Sequence, residues 1–334
     1  MSERPRIATR LTERFGLDAP IVSAPMALIA GGRLAAAVSN GGGLGLIGGG
    51  YAGHLGGEPD LDQEWRLAGN APVGIGFILW AMKRESGMDA LRRALERQPR
   101  CVFLSFPEHP DDLAEPIALV RDRSVPAMVQ VQTVELAKAA LDAGADVIVA
   151  QGTEAGGHGG ARATLPFVPE VADLCVARAP ECLVLAAGGI ADGRGLAAAL
   201  TLGADGVVVG SRFWAAREAL TPDAHVERAR EASGDETVRT RGLDRARGLD
   251  WPAPFSFRVI VNDFVREVAS GNSEFGAETD RYDRARSGGD ITVVPAVAGE
   301  AVGLFNDRPP ASEIMGRIVR ETKGALEKAG AYLR

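Results

Sequence analysis

The sequence predicts one (β/α)8 barrel with a mainly helical segment set in after its last strand. Three observations carry that expectation. Eight short apolar runs recur along the chain with helix-length segments between them. The runs are continuous in Val, Ile and Leu instead of alternating with polar residues, the pattern of parallel strands covered by helices. The length of 334 residues suits a single barrel with insertions, and 42 glycines suit many tight turns between strands and helices.

In chain order the expected strands are Pro20–Ala24, Gly43–Ile47, Pro72–Ile78, Cys101–Phe106, Val125–Val131, Ala145–Ala150, Cys182–Ala187 and Asp205–Val209. The segments between them carry helical spacing and starting signals, such as Thr133 before Val134-Glu135-Leu136 and Asp192 before Gly193-Arg194-Gly195-Leu196. After the eighth strand the alternation stops. Residues 215–304 read as helical and irregular, with charged stretches such as RAREASGDETVRTRGLDRARG, and form a lid. Helical spacing resumes at Ser312-Glu313-Ile314-Met315. The barrel is therefore expected over 1–214 and 305–334, with 215–304 as the lid and substrate-pocket segment.

A net charge of −7 and a pI near 5.3 argue against a nucleic-acid surface. No uncharged apolar run reaches membrane-spanning length. The opening MSERPRIATRLTERFG is polar with both charge signs, unlike a signal peptide. Cys101, Cys175 and Cys182 lack metal or disulfide spacing and read as packing residues, which places the chain in a reducing cytoplasm. No H-x-x-x-H, H-E-x-x-H or cysteine pair suggests a metal.

The chemistry concentrates in Gln151–Gly160, QGTEAGGHGG, which follows the sixth strand directly. A strand opening into a glycine-rich loop lets backbone approach a ligand closely, and His158 is then available for proton chemistry near neutral pH. Function in a barrel sits at the carboxyl ends of the strands, and phosphate sites commonly form after strands seven and eight. Strand seven runs out into Gly188-Gly189, and strand eight into Gly210-Ser211. Glycines there allow backbone N–H groups to face phosphate oxygens. Strand one ends in Ala24-Pro25-Met26-Ala27, where Met26 offers a soft side chain suited to a planar ring. Gln130, Gln132 and Gln151 end strands five and six; their amides can both donate and accept. A G-x-G-x-x-G match at Gly43–Gly48 is rejected as a dinucleotide fingerprint, because the strand lies inside the motif and no helix opens across its last glycine.

Taken together, APM at Ala24–Met26, QGTEAGGHGG at Gln151–Gly160, AAGGIADGRG at Ala186–Gly195 and GADGVVVGSRF at Gly203–Phe213 resemble the FMN-dependent nitronate monooxygenases. Weaker echoes lie at Trp251-Pro252 and Gly299–Gly303. The resemblance implies FMN as cofactor and oxidation of alkyl nitronates or nitroalkanes by molecular oxygen to carbonyl compounds and nitrite. It implies His158 as the catalytic histidine. Ala24, Pro25, Met26, Ala27, Gln130, Gln151, Gly156 and Gly157 would line the flavin ring and ribityl chain, and Gly188, Gly189, Gly210 and Ser211 would hold the phosphate. Many relatives carry asparagine at the end of strand three, where this chain has Gly76, so that contact is expected from backbone alone. The implied partners are a small molecule and oxygen, without nucleic acid or membrane, and a homo-oligomer is compatible.

Two other readings use the same residues. An NAD(P)H-dependent FMN reductase, of the quinone or enoyl-acyl-carrier-protein type, keeps the cofactor and changes the reaction. A flavin-free isomerase or lyase would use the phosphate loops with His158 as acid and base. Glu154 could tune His158 or lie exposed. Arg212, Arg241 or Arg258 could clamp a substrate carboxylate, and Trp80, Trp214 and Trp251 could fringe the pocket. His54 could reach the site rim, while His109 and His225 read as solvent-facing.

Overall fold

The computed structural model describes residues 6–52, 60–82, 87–269 and 276–333. Its first six strands are β1 (Ile21–Ser23), β2 (Leu46–Gly50), β3 (Gly74–Ile78), β4 (Val102–Ser105), β5 (Ala127–Val131) and β6 (Val147–Gln151). A short β7 (Gly157–Gly159) follows, then β8 (Leu183–Ala187), β9 (Gly206–Val209), β10 (Thr237–Thr240) and β11 (Ser256–Ile260). Eight of these form one parallel sheet in the order β1-β9-β8-β6-β5-β4-β3-β2, and a parallel bridge between Val22 and Leu44 closes it into a barrel. All eight expected runs are barrel strands. The second lies further along than expected, at Leu46–Gly50, because a Gly-Gly-Gly run that reads as loop continues the ladder through a register shift between Gly48 and Gly50.

Every barrel strand presents one set of side chains inward and the other to the surrounding helices. The inner set is Val22, Leu46, Phe103, Met128, Val147, Val149, Leu185 and Val208, plugged from below by Leu11 and Phe15 of the N-terminal helix. Arg10 holds that plug through a 2.7 Å ion pair with Asp205, ahead of β9. The outer set packs against seven helices: Gly32–Asn40, Leu61–Ala68, Gly87–Glu96, Ala114–Asp122, Val134–Asp142, Thr164–Arg178 and Gly193–Thr201. The expected caps are present: Thr133 accepts from Leu136 N–H, and Asp192 accepts from the N–H groups of Arg194 and Gly195.

The eighth outer helix does not follow β9 directly. Only the four-residue helix Ser211–Trp214 does, and the chain then leaves the barrel. It returns as Ala311–Gly330, whose Ile314, Met315, Ile318 and Val319 are buried against helices Gly193–Thr201 and Gly32–Asn40. The intervening stretch contains the helices Asp223–Arg230, Gly242–Ala246, Asp263–Ala269 and Ala277–Gly288. Leu243, Val259, Phe264, Val265, Val268 and Tyr282 make a small core of its own. It also contains an unexpected sheet: β10 and β11 pair antiparallel, and β11 pairs antiparallel with β7. Two of these three strands belong to the inserted stretch, while the third is the GGH loop of the barrel. Among the described residues no helix is long and apolar enough to cross a membrane.

Candidate active site

The sheet positions the histidine. His158 lies opposite Phe257 in the β7–β11 register, and side chains of directly opposed residues leave a sheet on the same face. The imidazole accordingly stacks on the Phe257 ring, with centroids 4.4 Å apart and planes 6° apart. Trp251 covers its other face at 3.3 Å and 7°. Phe106 meets it edge-on at 6.2 Å, and Trp80 and Tyr51 stand edge-on to Trp251. Phe106 adopts φ +56, a left-handed backbone that costs an ordinary residue about 1–2 kcal/mol and holds only where surrounding structure enforces it. With both faces covered, the imidazole can work only through its edge.

On that edge, Nε2 lies 2.9 Å from Asp244 Oδ1. Among the described residues Nδ1 has no hydrogen-bond partner. Burial pushes the imidazole down to about 4, against the pull of Asp244, while Arg247 and Arg239 push the same way as burial. A ring so lowered is neutral at neutral pH. Arg247 Nη1 reaches the same Oδ1 at 3.3 Å and lies over the Phe257 ring, 4.9 Å from its centroid. Among the described residues Asp244 Oδ2 is buried without a partner. Asp244, not Glu154, is thus the carboxylate on His158. The Glu154 carboxylate instead accepts from Thr164 N–H and Oγ1 and starts the helix Thr164–Arg178, so it neither tunes His158 nor lies exposed.

Two arginines paired across β10 and β11 hold the loop that bears His158. Arg239 donates to the carbonyls of Thr153 (2.9 Å), Ala155 (2.8 Å), Ser256 (2.5 Å) and Gly157 (3.4 Å). Burial, with Arg258 beside it, lowers its guanidinium to about 10, so it stays charged. Arg258 donates to Thr153 O and Thr237 Oγ1 and pairs with Glu300 at 2.9 Å. Arg212 is buried on Asp307 at 2.5 Å, and Arg241 binds Trp251 O at 2.9 Å. Arg212 and Arg258 are engaged with Asp307 and Glu300 and are not free to clamp a substrate carboxylate, which corrects the expectation for these two; Arg241 is exposed, with one donor engaged.

The other expected residues ring the barrel mouth. Ala24–Ile29 follow β1 and are half-buried. Pro25 crosses β3 so closely that a Cβ on Gly76 would lie 2.4 Å from Pro25 Cγ, which explains glycine there in place of a longer side chain. Gln130 points inward from β5 and has no hydrogen-bond partner among the described residues. Gln151 is engaged: its Oε1 accepts from Gln132 Nε2 at 2.9 Å and its Nε2 donates to His158 O at 3.1 Å. Gly156 backs onto Ala298 and Gly299.

Gly188-Gly189 and Gly210-Ser211 leave adjacent strands, since Ala187 pairs with Val208. Gly188 and Gly189 have φ of +102 and +71, so turns there need glycine. Among the described residues the N–H groups of Gly188, Gly189, Gly210 and Ser211 donate to nothing. Unpaired backbone donors on one rim fit a phosphate. The helix Gly193–Thr201 adds none: its first N–H groups already bind Glu321 and Asp192. Beside this rim lies a cavity of about 350 Å³ lined by Glu154, Thr164, Gly188, Gly189 and Leu304.

Of the tryptophans, Trp251 stacks on His158 and Trp80 stands edge-on to Trp251, whereas Trp214 is buried beneath the inserted segment. His109 is exposed; His225 is half-buried, with Nε2 on Val294 O at 3.0 Å, and not simply solvent-facing. His54 lies outside the described residues. The three cysteines are buried. Sequence reasoning missed Asp244, Phe257 and Arg239, since each sits in a charged or irregular stretch whose pairing is set some 80 to 100 residues away in the chain.

Comparison with known proteins agrees with this geometry. The family model described as nitronate monooxygenase matches residues 8–79 and 79–320. A nitronate monooxygenase of Metarhizium robertsii is 36% identical over 94% of this chain and 93% of its own. Among solved structures, FabK from Thermotoga maritima aligns with TM-score 0.82 and 29% identity over 98% of this chain and 99% of that one. A nitroalkane oxidase from Streptomyces ansochromogenes aligns with TM-score 0.76 and 27% identity over 94% and 98%.

Proposed function

The chain belongs to the nitronate monooxygenase family, and from that premise we propose that it oxidises alkyl nitronates with molecular oxygen through an FMN seated across the barrel mouth. Carbonyl compounds and nitrite are the products. The observation that carries the cofactor assignment is the set of four unpaired N–H groups on the rim after β8 and β9, a donor set suited to the FMN phosphate. Bound there, the flavin supplies the electron-accepting ring that side chains lack, taking reducing equivalents from the nitronate and passing them to oxygen. The chain's own residues do the rest. Met26 and Ala27 form one wall for the ring, and the free amide of Gln130 can donate to or accept from its polar edge. The aromatic residues around His158 exclude water, which strengthens every polar contact to the negative nitro oxygens. Residues 215–304 act as the lid of this site, over a barrel of 1–214 and 305–334.

An anaerobic titration of the purified protein tests the reading. A yellow preparation whose flavin absorbance is bleached by alkyl nitronate, and not by NADH or NADPH, is the expected result. Bleaching by the nicotinamide alone would make this a flavin reductase on the same barrel. A colourless protein that takes up no FMN would leave a phosphate-binding isomerase or lyase.

A further inference from the structure

We propose that Asp244 is a positioning residue that holds His158 as the neutral Nε2–H tautomer, so that the imidazole meets the substrate through the Nδ1 lone pair as a proton acceptor. This inference rests on the reading of His158 as the active-site histidine and specifies which atom of it works.

The geometry leaves the imidazole one way to act. Phe257 and Trp251 occupy its two faces, so no ring of a ligand can stack on it. Nε2 is engaged with Asp244 Oδ1 at 2.9 Å. An ionised carboxylate only accepts hydrogen bonds, so the proton of a neutral ring must sit on Nε2. Nδ1 is then the acceptor and the one polar ring atom without a partner among the described residues. The charged groups facing this assembly are Asp244 and Arg247 from the helix Gly242–Ala246 and the turn after it, and Arg239 from β10; Tyr51, after β2, adjoins it through Trp251. Asp244 and Arg247 balance each other, so the neutral ring adds no unpaired charge.

With a neutral nitroalkane the step balances as a proton transfer. The bond from the α-carbon to hydrogen breaks, and its electron pair becomes the carbon–nitrogen double bond of the nitronate. The negative charge moves to the nitro oxygens, and the proton goes to Nδ1. The imidazolium so formed faces the Asp244 carboxylate, which stabilises it. A substrate supplied already as the nitronate has no such proton to lose. Asp244 should therefore matter more for nitroalkane than for nitronate, a split that a purely structural residue would not produce.

The test combines spectroscopy with that split. In protein labelled with 15N-histidine, the His158→Asn spectrum identifies the His158 signals among the four histidines. The expected wild-type spectrum shows a protonated Nε2 and an unprotonated Nδ1. In Asp244→Leu the single tautomer gives way to a mixture. Nitroalkane turnover then falls by about 10²–10⁴-fold, the range that a positioned general base contributes, and at least ten times further than nitronate turnover. If Asp244→Leu fails to fold, Asp244→Asn serves instead: it retains the shape, but its amide can donate to the ring and favour the other tautomer, and it should lower nitroalkane turnover by up to about 10⁴-fold. An Nδ1–H signal in the wild type, or equal losses on both substrates, would overturn the role of Asp244. Full nitroalkane turnover in His158→Asn would instead remove His158 from the reaction, whatever the tautomer.

Discussion

His158 has an acid-stability consequence separable from any chemistry. Its imidazole is held near pKa 4 in the folded chain by burial, whereas an unfolded histidine titrates near 6.5. Between those values the unfolded state binds the proton and the folded state does not, so stability falls as the pH drops through the window and is complete above it. The loss amounts to about 2–3 kcal/mol between pH ~7 and ~4.5. Urea unfolding at the two pH values should show that excess loss in the wild type relative to His158→Gln; parallel losses would mean that the ring titrates as an ordinary histidine. The glycine-flanked histidine stood out in the sequence as a candidate site residue. Its carboxylate partner did not, because Asp244 lies 86 positions away in a stretch of alternating charges that reads as a solvated helix face.

Elements differ in how plainly the chain announces them. The barrel strands are self-evident because parallel strands buried on both sides must be continuous apolar runs, as in Val147–Ala150 or Leu183–Ala187. β7 has no such mark, since Gly-His-Gly has little preference for extended backbone and pairs only because Ser256–Arg258 arrive alongside. What fastens that pairing is the Arg239 fork, which supplies four carbonyls with buried donors at once. Arg239→Met should cost about 2–4 kcal/mol in unfolding free energy and speed amide exchange over 153–159, because several buried acceptors lose their donor together. Arg239→Lys should rescue little of it, as a single ammonium cannot span the fork. A surface-like loss below 0.5 kcal/mol would show that the loop holds its shape without the arginine.

The whole molecule is a ring closed by its last long helix. Helix Ala311–Gly330 fills the place between the first and seventh outer helices, so the last outer unit is assembled from β9 and a helix about 100 residues downstream. The eight-unit count was legible because each unit repeats the same pattern, and the return of helical spacing at Ser312 marked the closing piece. Ile318, buried at 2% exposure in that seam, makes the point measurable: Ile318→Ala should lower stability by about 2–4 kcal/mol with an unchanged denaturant slope, as for a cavity in one shared core. A shallower slope or a second transition would show the helix docking as an independent unit. The shared sheet of β7, β10 and β11 has a mechanical consequence. A cover hinged on a barrel can swing clear of a loop at its mouth, but here the loop that carries His158 and the cover are woven into one fabric by a strand ladder and two arginines. Lifting the cover away would unpick that weave or carry His158 off with it. The cover and the loop that carries His158 should therefore move as one body or not at all, so that amide exchange in β7 and β11 rises and falls together.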